Sequence, residues 1–269
     1  MFHLAARAVC SVTAVLVLAS GMAGCASEDE PGATTRAPEV VQAGALTVCT
    51  SLPYEPFEFR QGGKTVGFDI DLAHEVAKEL GLTARIVNTD FDDIQSGQLL
   101  NDGECDVAIA GMTITGDRAR VLDFSSPYFN AAQAMVVPVG SGVTALTDLG
   151  GEKIGVQKGT TGELYLTDNA LSDTEIVTFK DASGIGAALK AGEVQAGVYD
   201  NTVVGDVVSR NPEFEVAGEF DTGEQYGMAV KKNGNVDLLR TINDVLAELN
   251  ATGGYDEIYE RWFGSAPSA

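Results

Sequence analysis

Histidine is nearly missing from this chain. It accounts for two of the 269 residues, His3 and His74. That argues against a histidine-built metal site and against a Cys–His or Ser–His couple for nucleophilic catalysis. No Gly-x-Ser-x-Gly elbow is present either, and no pair of carboxylates is marked out for acid–base work. Basic residues are scarce: 17 Lys and Arg stand against 39 Asp and Glu, a net charge of −22. Such a surface repels phosphate backbones and anionic lipid heads, so no nucleic-acid partner is expected. Aromatic residues make up only 7%. Few aromatics with much charge could mean disorder, but 45% of the residues are apolar, and they fall in periodic blocks that imply a packed core. A long apolar span is lacking too. The longest run, residues 9–19, is short for a membrane crossing and sits at the start of the chain.

That start reads as a targeting signal. Residues 1–24 carry Arg7 as their one charged side chain, then the apolar run, then the small residues before Cys25. Met22-Ala23-Gly24-Cys25 resembles a bacterial lipobox, with Met22 where leucine is usual. Cys25 is then the lipidated first residue after cleavage and the membrane is a partner through that anchor. The alternative is an ordinary signal cut nearby. Residues 25–44 are polar and hold two prolines, and are expected to form a flexible tether. Cysteine is otherwise sparse: Cys10 lies in the signal, and Cys49 and Cys105 remain. An exported protein permits a disulfide. The two residues fall near opposite ends of what read as parallel strands, so two buried thiols are expected instead.

Strand and helix patterns alternate from residue 45 onward. Strands are expected at 46–50, 66–68, 84–87 and 106–110, with helices at 69–80 and from 92 or 93 to 100. A second series follows a strand at 133–139: strands at 153–156, 175–179 and 195–199, helices at 159–170, 182–191 and 201–209. A strand at 226–231 and helices at 236–250 and 255–263 end the chain. This order implies an α/β fold with two mostly parallel sheets covered by helices.

Several strand ends carry chemistry. "GMTITGDRAR", residues 111–120, leads from a buried strand into a helix start. Gly111 lets a ligand approach the backbone and offers its carbonyl to an amine. Thr113 offers a hydroxyl, and Arg118 a guanidinium fork suited to a carboxylate. The plain alternative is a surface arginine paired with Asp117 or Asp123. "GVQKGTTGELY", residues 155–165, repeats the strand–glycine–threonine–helix pattern, with Thr160 and Thr161 at the turn, and reads as an anion-favouring helix start or an ordinary cap. Asp200 ends another strand and could meet an ammonium or cap the next helix. Tyr54 and Phe91 follow strands and could line a cleft, while Phe57 belongs to the core.

"YEPFEF", "VGFDIDLAHEVAKELGL", "DVAIAGMTITGDRARVLDFSSPYF", "IGVQKGTTGELY" and "GGYDEIYERWFG" occur in that order. Together they resemble the extracytoplasmic amino-acid-binding proteins of bacterial ABC importers, over residues 45–265. The resemblance implies a two-lobed periplasmic-binding-protein-like fold of type II, lobe 1 being 45–130 plus 226–269 and lobe 2 being 131–225, with hinges near 130–133 and 224–226. It implies a monomer that is no enzyme, needs no cofactor or metal, and delivers a free polar amino acid to permease subunits. It implies that Arg118 and the Thr160-Thr161 turn hold the ligand carboxylate. Asp200, the Gly111 carbonyl and the Thr113 hydroxyl would take the ammonium, and Tyr54 and Phe91 would flank the side chain. Ser51, Gln157 and Tyr199 fall where the family sets specificity. Glutamine binders often have lysine for Gln157 and histidine for Tyr199, and some cation binders have aspartate for Ser51 or Thr113. The ligand is expected to be arginine-like or glutamine-like. A dehydratase or lyase on the same fold and a sensor domain are the rival readings.

Overall fold

The computed structural model describes residues 38–265. The signal, Cys25 and most of the tether lie outside the described residues. The tether's end does not hang free. Val41 N–H donates to Asp106 Oδ1 at 2.6 Å and Asn235 Nδ2 to the Glu39 carbonyl at 2.8 Å, so the chain is already docked before its first strand.

That strand, β1 (Ala45–Thr50), is followed by the hairpin β2 (Phe59–Gln61) and β3 (Lys64–Val66), helix α1 (Phe68–Glu79) and β4 (Thr83–Asn88). Gly67 makes the turn into α1 at φ +137°, where a Cβ would strike the Phe57 carbonyl; only glycine fits. Ile70, Leu72, Ala73, Val76 and Ala77 give α1 its buried face. Next come α2 (Phe91–Gln95), α3 (Gln98–Asn101), β5 (Val107–Ala108), α4 (Gly116–Val121), β6 (Leu122–Phe124) and β7 (Phe129–Pro138). The single helix expected up to residue 100 is broken because Gly97 adopts φ +79°. The second series is β8 (Lys153–Gln157), α5 (Thr161–Asn169), β9 (Glu175–Phe179), α6 (Ala182–Ala191), β10 (Ala196–Asp200) and α7 (Asn201–Arg210). Strands β11 (Phe214–Tyr226) and β12 (Ala229–Lys231) and helices α8 (Val236–Thr252) and α9 (Gly254–Phe263) complete it.

Two five-stranded sheets result, ordered β4-β1-β5-β12-β6 and β11-β7-β10-β8-β9. The α/β class is as expected, but each sheet is mixed. β1 runs parallel to β4 and β5, while β12 returns antiparallel. β8 runs parallel to β9 and β10, while β7 is antiparallel to both β10 and β11. The paired strands β7 and β11 carry the chain out of the first sheet region and back, and their register shifts between Phe220 and Glu224. Behind that crossing lies an aromatic nucleus. Phe57, fully buried, meets Phe129, Phe263, Tyr226 and Phe68 edge-on at 5.0, 5.4, 5.5 and 5.9 Å between centroids. The C-terminal motif thus anchors α9 against the crossing strands.

The cysteine expectation is corrected. Cys49 and Cys105 form a disulfide, with Cα atoms 5.9 Å apart. The reason is that the chain leaves the strand register before β5. Cys49 pairs with Ala108, and a bend at Asp106 takes Cys105 off the strand axis and over β1 rather than back along it. Asp106 fixes that bend, its backbone N–H donating to Thr47 O at 2.9 Å and its Oδ2 accepting from Thr47 N–H at 2.7 Å.

Candidate functional site

The ends of β1, β5, β8 and β10 converge on one cleft. Past β5 the chain reaches Gly111 at φ +52°, where a Cβ would lie 2.8 Å from the Tyr54 ring. Its N–H donates to buried Asp69 Oδ2 at 2.8 Å. Thr115 then caps α4, accepting from Arg118 N–H at 3.2 Å. The Arg118 side chain turns inward and is buried. Nη1 donates to Thr113 O at 2.8 Å, and Nη2 to Gly159 O at 2.9 Å in the loop before α5. The guanidinium carbon stands 5.2 Å from the centre of the Phe91 ring. Asp117 and Asp123 do not hold it; they pair with Arg120 and Lys232. Burial lowers its pKa to about 10, so it stays charged at neutral pH.

Across the cleft, Thr160 caps α5. Its hydroxyl accepts from Glu163 N–H at 3.2 Å and donates to Gln157 O at 2.8 Å. Thr161 Oγ1 donates to Glu224 Oε2 at 2.6 Å, and Thr113 Oγ1 donates to the same oxygen at 2.6 Å. The threonine hydroxyls expected to face a ligand carboxylate therefore have their protons committed elsewhere. What α5 still offers an anion is the backbone N–H groups of its first turn.

Asp200 stands at the N-cap of α7 but makes no capping bond. Its carboxylate accepts instead from Gln133 Nε2 at 2.6 Å and Tyr226 Oη at 2.5 Å. Burial, then the charge of Glu224, raises its pKa to about 6. Beneath Gly111, Glu58 and Asp69 form a second buried acid pair. Burial and the nearby Asp69 push Glu58 well up, and burial takes Asp69 to about 7, so the pair readily keeps a proton.

The cavity among these groups is small, ≈ 20 Å³. Gly111, Thr113 and Arg118 line it on one side, Thr160, Thr161 and Asp200 on another, with Ser51, Tyr54, Phe91 and Gln157 completing the wall. Tyr199 lines an adjoining recess shared with Tyr54, Gln157 and Asp200, and its buried Oη has no hydrogen-bond partner. Three ion pairs link the cleft's two sides: Lys180–Asp90 at 2.8 Å, Lys158–Asp92 at 2.8 Å, and Arg210–Glu55. Glu163 accepts from Gly159 N–H at 2.7 Å. Glu55, Asp90 and Glu163 are thus engaged already. Sequence reasoning missed Glu58, Gln133, Glu224 and Tyr226. A glutamine inside the apolar run of β7 was the readable signal; the other three sit in ordinary-looking strand or turn positions. Among the described residues no group of His, Cys, Asp and Glu could hold a metal ion, and no helix is long and apolar enough to cross a membrane.

The family model "Bacterial extracellular solute-binding proteins, family 3" matches residues 46–265. The chain belongs to this family. As a family 3 solute-binding protein it is a binding component of amino-acid ABC transport, not an enzyme. It is 33% identical to the L-cystine-binding protein of Escherichia coli K12 over 267 residues, 98% of this chain and 97% of that one. It is also 33% identical to the glutamine-binding protein of Bacillus subtilis, covering 77% of this chain and 76% of that one. Among solved structures, an ancestral arginine-binding protein bound to glutamine matches with TM-score 0.78 and 44% identity, over 83% of this chain and all of that one, 100%. These neighbours share its two-lobed fold.

Proposed function

We propose that this chain captures a polar amino acid, arginine-like or glutamine-like, in the cleft and hands it to the permease of an ABC importer. The observation that carries the reading is the buried opposition of Arg118 to Asp200 across one cavity. A zwitterion supplies a partner to each. Arg118 and the first turn of α5 take the carboxylate; Asp200, the Gly111 carbonyl and Thr113 take the ammonium; Tyr54 and Phe91 flank the side chain, with Ser51, Gln157 and Tyr199 toward its far end. Relatives named for cystine, glutamine and arginine support the ligand class. One guanidinium faces two carboxylates, Asp200 and Glu224. A bound zwitterion leaves one negative charge over, which favours a cationic side chain to an acidic one.

On this reading residues 45–130 with 226–269 form one lobe and 131–225 the other, hinged on β7 and β11, and the protein acts as a monomer. Cys25 carries the lipid that holds it at the outer face of the membrane; intact-mass analysis of the N-terminal peptide checks this, and an unacylated Cys25 overturns it. The ligand is tested by a thermal-shift screen against the twenty amino acids. A ligand at a hundred times its Kd adds about 2.7 kcal/mol to stability. A shift from arginine, glutamine or a close analogue is expected, and no shift from any of them contradicts the reading.

A further inference from the structure

We propose that Glu224, which lies behind the cavity wall, decides which way round the ligand binds, by turning the Thr113 and Thr161 hydroxyls into acceptors. The inference rests on the cleft being an amino-acid site. Each threonine hydroxyl has one proton to give. Both give it to Glu224 Oε2, each at 2.6 Å, so neither donates to the other although the oxygens stand 3.5 Å apart. The second carboxylate oxygen accepts from Gln133 Nε2 at 2.9 Å and Thr222 Oγ1 at 2.7 Å. Four donors thus fill the carboxylate, and the same Gln133 nitrogen reaches Asp200 at 2.6 Å. Burial works against the charge of Glu224, yet these donors hold its pKa below the usual glutamate value. Glu224 therefore stays ionised and keeps both protons turned away from the cavity that Thr113 and Thr161 line.

What the threonines show the ligand is lone pairs, although Thr161 Oγ1 also accepts from Gln133 Nε2 at 3.2 Å, so Thr113 is the freer acceptor. An ammonium finds acceptors there beside Asp200. A carboxylate finds only oxygen facing oxygen, and is left to Arg118 and the start of α5. Glu224 touches neither end of the ligand and is a positioning residue; its effect is polarity. Nothing in the sequence marks it, because a glutamate in a solvent-edged strand reads as surface.

The test compares Kd by calorimetry for L-arginine and L-glutamine with Kd, by competition, for the same two compounds lacking the α-amine. In Glu224→Gln the side-chain amide can donate to a threonine and free that hydroxyl proton. The preference of the protein for the amine-bearing compound over its deaminated counterpart is then expected to fall by about tenfold or more, one charge-assisted hydrogen bond. Thr113→Val should reduce the same preference in the wild type and have little further effect beside Glu224→Gln. A preference that stays unchanged in both variants, with affinity for the two compounds unchanged or falling in parallel, overturns the proposal. Wild-type protein that binds neither amino acid overturns the arginine-like or glutamine-like reading on which the proposal rests, so the two failures are told apart.

Discussion

Asp200 shows how one residue can carry a pH dependence. Its pKa is raised to about 6 by burial and by Glu224, above the ≈ 3.9 of an unfolded aspartate. The folded, ligand-free protein thus binds more protons than the unfolded chain between those values, and this group's contribution to stability falls as pH rises through the window. Asp69, taken to about 7 by burial, acts in the same direction. An ammonium reverses the balance at Asp200, because it needs the ionised form. Affinity for the amino acid should therefore drop as pH falls below about 6, by up to about tenfold per unit, and level off above about 7. Calorimetric titration from pH 4.5 to 8 checks this; a flat profile, or one that survives in Asp200→Asn, would speak against Asp200 as the ammonium partner. Residues such as Asp200 and Arg118 were legible because their chemistry sits at strand ends, where α/β sheets place ligands. Glu58 and Glu224 were not, since a carboxylate's burial depends on the other strands that cover it.

At the level of elements, periodicity was a good guide to helices and to strand order, and a poor one to register. The apolar face of α1 can be read residue by residue. The antiparallel return of β12 and β7 cannot, because direction is settled by which distant strand each one pairs with. The disulfide was missed for a related reason: the bend at Asp106 takes Cys105 out of the strand, and such a departure is not written in the apolar pattern. The Cys49–Cys105 bridge closes a loop over a separation of 56 residues, which by chain entropy is worth about 4 kcal/mol. Cys49→Ser with Cys105→Ser should lose about 2–4 kcal/mol by urea unfolding, with ligand affinity little changed, since neither cysteine lines the cleft. Equal stability of the oxidised and reduced wild-type protein would contradict a bridge at this site.

For the whole molecule the question is what holds the cleft shut. The three ion pairs across its mouth are partly or largely exposed, and such pairs are worth about 0–1 kcal/mol each. Arg118 reaching Gly159, and Thr113 and Thr161 meeting at Glu224, add a few more links between the two sides. This is a shallow bias, and on the proposed hinge at β7 and β11 a ligand would tip it by touching both sides at once. On the same reading, the gain from closing would come chiefly through the buried charges at the two poles. The decisive measurement is calorimetry of the best amino acid from the screen against wild type and Arg118→Ala. Losing its guanidinium should leave the ligand carboxylate buried and unpaired, weakening binding by about 2–5 kcal/mol while the protein still unfolds cooperatively. Wild-type affinity in a folded Arg118→Ala protein would mean that the amino acid is not gripped in this cleft.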